Sequence, residues 1–202
     1  MPSAEPRRLF AGPGAAERRR LLAGLARPPI EAARFLLGQI LVRRGRRPLA
    51  ARIVETEAYL GVDDPAAHAY GGRRTRRTEP LWGPPGTIYV YFIYGMHYCL
   101  NVSVEREGVP GCVLIRAAEP RGGLEAGSLR GPGRLCRTLG LDTSDSGRYL
   151  FDPSSRLTLR EGPAPGRIGV SVRVGIRRAA DEPLRFFDAA SPEVSSPTLS
   201  AR

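Results

Sequence analysis

Apolar positions in "IEAARFLLGQILVRR" recur at helical spacing. Ala33, Leu36, Leu37, Ile40 and Leu41 fall on one stripe, which predicts a helix that packs on a core and runs into a strand. The period then changes to two. "LAARIVETEAYL" alternates, with Ile53, Glu55, Glu57 and Tyr59 on one side and Arg52, Val54, Thr56 and Ala58 on the other. A strand that puts two glutamates and a tyrosine on one face is not building an ordinary apolar face. The stretch "GVDDPAAHAYGGRRTRRTEP" reads as loop with one helical turn at 65–68. Two strands joined by a turn at Tyr94, Gly95 and Met96 follow in "GTIYVYFIYGMHYCLNVSVE", and "GCVLIRAAEP" adds a third, an antiparallel meander. "GSLRGPGRLCRTLGLD" is a glycine-rich loop opening a short helix, and "SVRVGIRRA" and "PLRFFDA" predict two last strands. Residues 1–24 read as a mobile basic arm or weak helix. Order is expected from near Pro28, with one domain over 25–195, fraying after Ser191 and a loose tail at 196–202.

At 202 residues, 42% hydrophobic and 25% charged, the chain suffices for one buried core and leaves no room for a second domain. Its 31 basic and 20 acidic residues give a formal charge of +11, which points first to nucleic acid and second to an anionic membrane surface. Every basic residue is arginine. A lysine Schiff base with a sugar aldehyde is therefore excluded, and the only other amine is the chain terminus. Cys99, Cys112 and Cys136 are odd in number and lack C-x-x-C spacing, so neither a disulfide framework nor a zinc site is indicated. Reduced core cysteines favour the cytoplasm. Arginines and Glu17 interrupt "RRLFAGPGAAERRRLLAGL", and Pro84, Pro85, Gly86, Gly95 and Asn101 interrupt the uncharged run 80–104, so no secretory signal or membrane span is expected.

Tyr89, Tyr91, Tyr94 and Tyr98 crowd one hairpin, with Tyr59 and His68 upstream. Aromatic faces stack on bases at about 1–3 kcal/mol each without demanding one sequence. At the hairpin tip, Tyr94 would be a wedge suited to the gap left by an extruded nucleotide. Cleaving an N-glycosidic bond creates an oxocarbenium-like sugar, and one carboxylate that deprotonates water is the minimum requirement. Glu55 and Glu57 are both candidates. Arg73, Arg74, Arg76 and Arg77, with Arg134 and Arg137, are natural phosphate contacts.

The runs "RIVETEAYLG…AAH…GGRRT", "GTIYVYFIYGMHYCLNV", "CVLIRAAEP", "GPGRLCRTLGLD" and "RVGI…PLRFF" resemble the alkyladenine (3-methyladenine) DNA glycosylase family over roughly residues 25–195. The resemblance implies a mixed α/β (α+β) single domain. A curved antiparallel sheet would be flanked by helices, with a protruding DNA-intercalating hairpin. It also implies single-step hydrolysis with no cofactor, no metal and no lyase activity. Carried over residue by residue, it makes Glu57 the general base and associates Arg116 with the water and the DNA backbone. Tyr59, His68, Tyr91 and Asn101 would surround the flipped base, Tyr94 would intercalate, and Thr75 and Met96 would touch DNA beside Arg76 and Arg134. The implied partner is double-stranded DNA containing damaged purines, bound by a monomer in a bacterial cytoplasm at the nucleoid. The chain departs from the family pattern at Arg76 and Thr78 and at "LW", on the loop expected to face DNA. A catalytically silent nucleic-acid-binding module on the same fold is the alternative, and it would lack only Glu57-dependent base release.

Overall fold

The computed structural model describes residue 10 and residues 12–121 and 124–195. Order begins before Pro28. Helix α1 (Ala15–Leu25) buries Leu21 and Leu25, spaced one turn apart, while Arg20 forks onto Glu161 and Glu17 accepts from Arg160. Residues 1–9, like the tail 196–202, lie outside the described residues. Helix α2 (Pro29–Leu36) starts on a proline, which suits the first helical turn, and buries Ala32, Ala33 and Leu36. Gly38 then turns the chain at φ 90°, where a Cβ would lie 2.2 Å from the Pro163 carbonyl oxygen.

The remaining elements are β1 (Ile40–Arg43), β2 (Leu49–Tyr59), β3 (Ile88–Ile93), β4 (His97–Ser103), β5 (Cys112–Arg121), α3 (Pro132–Leu139), β6 (Leu157–Arg160), β7 (Ile168–Ser171) and β8 (Arg185–Asp188). The strands form one curled antiparallel sheet in the order β3-β4-β5-β2-β1-β6. Strand β2 is long enough to serve two neighbours on one edge. Its first half pairs with β1, and its second half, Glu55 to Glu57, pairs with β8, which carries β7. The mixed α+β single domain with a curved sheet is as expected. The helices cover one face, where Leu21, Leu36, Ile53, Leu100, Ile115 and Leu135 are fully buried. Each such side chain contributes on the order of 1.5–3 kcal/mol of transfer free energy.

Three local expectations are corrected. The "SVRVGIRRA" strand ends at Ser171, and the rest is a loop. Single 3₁₀ turns sit at Gly61–Asp63, Tyr70–Gly72 and Glu79–Trp82 in place of one at 65–68. The chain stays docked past Ser191, because Ser195 is buried and bonded to Glu55.

Candidate active site

The alternation along β2 breaks where the carboxylates begin. Pairing with β5 runs Ile53 to Ala118, then Glu55 to Ala117, then Thr56 to Ile115, so Val54 on one strand and Arg116 on the other are each an extra residue. Two offsetting irregularities restore the register but change the face. Ile53 joins Ala58 in the helix-covered core, and Thr56 donates to the Ala33 carbonyl of α2. Glu55, Glu57 and Tyr59 are left on the opposite face, with Arg116 aimed between the two glutamates. The expected placing of Ile53 beside the glutamates is thus wrong, and the reason is a bulge of the kind that re-aims side chains.

The two carboxylates differ in what they already hold. Glu55 is fully buried and saturated: Oε1 accepts from Arg116 Nε (2.9 Å), Arg185 Nε (2.7 Å) and Ser195 Oγ (2.7 Å), and Oε2 from the Ser195 N–H (2.6 Å). Glu57, equally buried, is held more lightly. Its Oε1 accepts from the Val174 N–H (2.7 Å) and lies 3.3 Å from Arg116 Nη1, and its Oε2 accepts from the Tyr59 hydroxyl (3.0 Å). Burial pushes the Glu57 carboxyl up from its ordinary value, against the pull of Arg116, the Val174 N–H and the Tyr59 hydroxyl.

Two cavities meet at this point. One, of about 140 Å³, is walled by Tyr59, His68, Tyr89, Tyr91, Asn101 and Cys112, among others. The other, of about 230 Å³, has Arg116, Tyr94, His97 and Val174 in its wall. Tyr59, Tyr91, Ile93 and Ile176 belong to both. Glu57 lies just behind the shared wall, outside either lining, and Arg116 reaches it from the second cavity. Strand β3 explains the aromatic wall, since Tyr89 and Tyr91 project from one face while Val90 enters the core. His68 packs edge-on to Tyr91 (centroids 4.6 Å), with Nδ1 2.8 Å from the Tyr89 hydroxyl. Burial there, with Arg77 and Arg73 nearby, pushes its imidazole down to about 4, although its outer edge remains in solvent.

A neutral imidazole follows. The ring signals of His68 are expected not to titrate between about pH 8 and about pH 5 in an NMR titration; a protonation step near the ordinary histidine value would contradict it. The same shift has a stability consequence. A histidine kept neutral by folding lowers stability as pH falls from 6.5, where the unfolded chain takes up its proton, toward the folded value.

Asn101 is 3% exposed and pinned, its amide donating to the Tyr89 (3.2 Å) and Cys99 (3.5 Å) carbonyls. Tyr94 and Met96 stand at the β3–β4 turn, 74% and 67% exposed. Tyr94 has φ 53° and Gly95 φ 67°, the left-handed pair of a type I′ turn, closed by the Met96 N–H on the Ile93 carbonyl (3.3 Å). A left-handed tyrosine is a strained tip that presents its ring to solvent.

Thr75 lies apart from the carboxylates, beside a 220 Å³ cavity that Arg73, Arg77 and Arg178 also line. Arg134, at the start of α3, borders an open cavity with Arg137. Arg76 is exposed and stands outside these four cavities. Glu57, Arg116, Tyr59, His68, Tyr91 and Asn101 are therefore brought together; Tyr94 lines the second cavity with Met96 two residues on, while Thr75, Arg76 and Arg134 stand outside both cavities. Among the described residues, no group of three His, Cys, Asp or Glu side chains is placed to hold a metal ion, and no helix is long and apolar enough to cross a membrane. The sequence pattern does not mark the loop 172–184 as part of the site, yet the Val174 N–H and Ile176 come from it. Nothing in a local strand-like pattern signals that a backbone amide will meet Glu57.

The family described as methylpurine-DNA glycosylase (MPG) matches residues 23–192. A Koribacter versatilis protein named "Putative 3-methyladenine DNA glycosylase" is 46% identical over 185 residues, 84% of this chain and 89% of that protein. DNA-3-methyladenine glycosylase of Mus musculus is 43% identical over 197 residues, 83% of this chain and 58% of its own length. The Homo sapiens protein of that name is 40% identical over 196 residues, 83% of this chain and 65% of its own length.

Proposed function

The chain belongs to the methylpurine-DNA glycosylase family, enzymes of DNA repair, and on that premise we propose that it flips damaged purines out of duplex DNA and hydrolyses their N-glycosidic bonds with a water activated by Glu57. The observation that carries this reading is the wall shared by an aromatic cavity and a cavity bearing Arg116, with the desolvated Glu57 carboxylate behind it. In the proposed step the water oxygen bonds to C1′ of the sugar and its proton passes to Glu57. The bond to the base breaks, and its electron pair leaves with the base. A cationic alkylpurine departs unaided, whereas a neutral purine takes up a proton from solvent water as it leaves. Arg116 holds Glu57 in place and reaches the sugar side. Tyr59, His68 and Tyr91 enclose the base, and rigid Asn101 crowds a guanine 2-amino group. Tyr94 fills the vacated stack with Met96 beside it. Thr75, Arg76 and Arg134 face phosphates, and one monomer suffices.

Single-turnover release of hypoxanthine or ethenoadenine from duplexes, and of alkylpurines from methylated DNA, tests the reading. Free base with an unbroken abasic strand is expected. Tight DNA binding without release from any of these would mark a silent binding module. The pH profile carries a further expectation. The general base must be ionised, so the rate should rise with pH through an apparent pKa above the ordinary 4.5, because burial raises that of Glu57. An acid limb at or below 4.5 would exclude Glu57 as the titrating group.

A further inference from the structure

Residues 172–184, between β7 and β8, run outside the strands, yet they supply the Val174 N–H that Glu57 accepts and the Ile176 that walls both cavities. Among the described residues, Arg173 and Val174 donate this segment's hydrogen bonds to distant parts of the domain, while Leu184 at its end accepts from the Ala58 N–H (2.9 Å). Arg173 is buried and forks onto Asp64, with Nη2 to Oδ1 at 3.0 Å and Nη1 to Oδ2 at 2.5 Å. The same guanidinium donates to the Ala58 carbonyl (3.1 Å) and the Ala179 carbonyl (3.5 Å) and lies 4.7 Å from the centre of the Tyr59 ring. Asp64 in turn accepts from the Leu60 (3.1 Å) and Ala66 (3.0 Å) N–H groups. One arginine thus ties together the end of β2, the 60–66 loop that leads to His68, and the segment carrying Val174.

Resting on the reading of Glu57 as the base, we infer that Arg173 and Asp64 are positioning residues that hold the Val174 N–H on the Glu57 carboxylate and so set the protonation and reach of the base. The physical case is that a buried ion pair adds little stability over an apolar pair of similar volume, so its distinctive property is geometric. The planar fork fixes direction as well as distance, and it does so one residue from the amide in question. A hydrogen bond donated to a carboxylate favours its charged form, so a slackened segment should raise the Glu57 pKa.

The test uses the full chain and a hypoxanthine duplex under single-turnover conditions across pH. Two variants are compared with wild type: Arg173→Lys, which keeps the charge but not the fork, and Arg173→Met with Asp64→Leu, which removes both charges and leaves no unpaired one. Both are expected to fold and to lose about 10- to 100-fold in plateau rate. Their acid limbs should move up by about one pH unit. If the double variant melts like wild type and keeps both the plateau and the acid limb, the inference is overturned. An Arg173→Lys limb that stays in place while the double variant's moves would assign the effect to charge and overturn it equally. Glu57→Gln, assayed alongside, separates the two failures. A wild-type rate there overturns the reading of Glu57 and this inference with it; a slow Glu57→Gln beside unmoved Arg173 variants overturns this inference alone.

Discussion

Glu57→Gln is expected to slow single-turnover base release about 10²- to 10⁴-fold while leaving duplex binding within a few-fold of wild type. Glutamine keeps the volume; its one carbonyl oxygen can still accept from the Val174 N–H, and its amide N–H can donate to the Tyr59 hydroxyl oxygen, so the pocket should persist. It cannot take a proton from water. The fold should survive as well. Arg116 keeps Glu55 as a partner at 2.9 Å, so removing the second carboxylate does not strand its charge. Folding raises the Glu57 pKa, so this carboxyl costs stability as pH rises from 4.5 through the folded value and above it. At pH 8 the glutamine variant is therefore expected to melt at or above wild type, a sign that the site gives up stability for function. Gel-shift binding with quenched-flow release, plus a melt on the same preparations, would decide it. Loss of binding in parallel with release would point to a collapsed pocket and remove the case for Glu57 as the base.

Much of this site was legible because its parts sit on periodic elements. Tyr89 and Tyr91 follow from alternation in β3, Asn101 from the family resemblance, and a tyrosine next to a glycine marks the turn that exposes Tyr94. Glu57 was found, but so was Glu55, and alternation alone ranks them equally. What separates them arrives from far along the chain: Arg185 on β8 and Ser195 near its end saturate Glu55. The bulge pair at Val54 and Arg116 was hidden for a related reason. Neither residue is unusual for a strand, and only the pairing of β2 with β5 reveals that each is extra. In "AAERRRLLAGL" the one-turn spacing of Leu21 and Leu25 is present, but three consecutive arginines break the apolar stripe, so the pattern supports no more than a basic arm or a weak helix. The Arg173–Asp64 fork spans 109 residues and has no local trace.

The second large effect is expected at Glu55, and it concerns stability more than rate. Glu55→Gln replaces a carboxylate that satisfies Arg116, Arg185 and the N–H and hydroxyl of Ser195 inside a fully buried site. Arg185 is 3% exposed, and among the described residues its other hydrogen bonds go to Ser171 Oγ and the Ser195 carbonyl, neither of which carries charge. Stranding a buried charge in this way costs about 3–5 kcal/mol. For a domain of this size that is roughly 6–20 °C in Tm, read by circular dichroism. The loss should concentrate on the β2–β8 seam, because Glu55 pairs with Phe187 there and anchors the chain at Ser195. Faster hydrogen exchange in β8 than in β3 would show it. Below its melt, Glu55→Gln should still release base faster than Glu57→Gln, since the proton acceptor is intact. A Glu55→Gln protein that melts within about 2 °C of wild type would mean that the arginines find other partners. Greater inactivity than Glu57→Gln at full stability would exchange the roles of the two carboxylates.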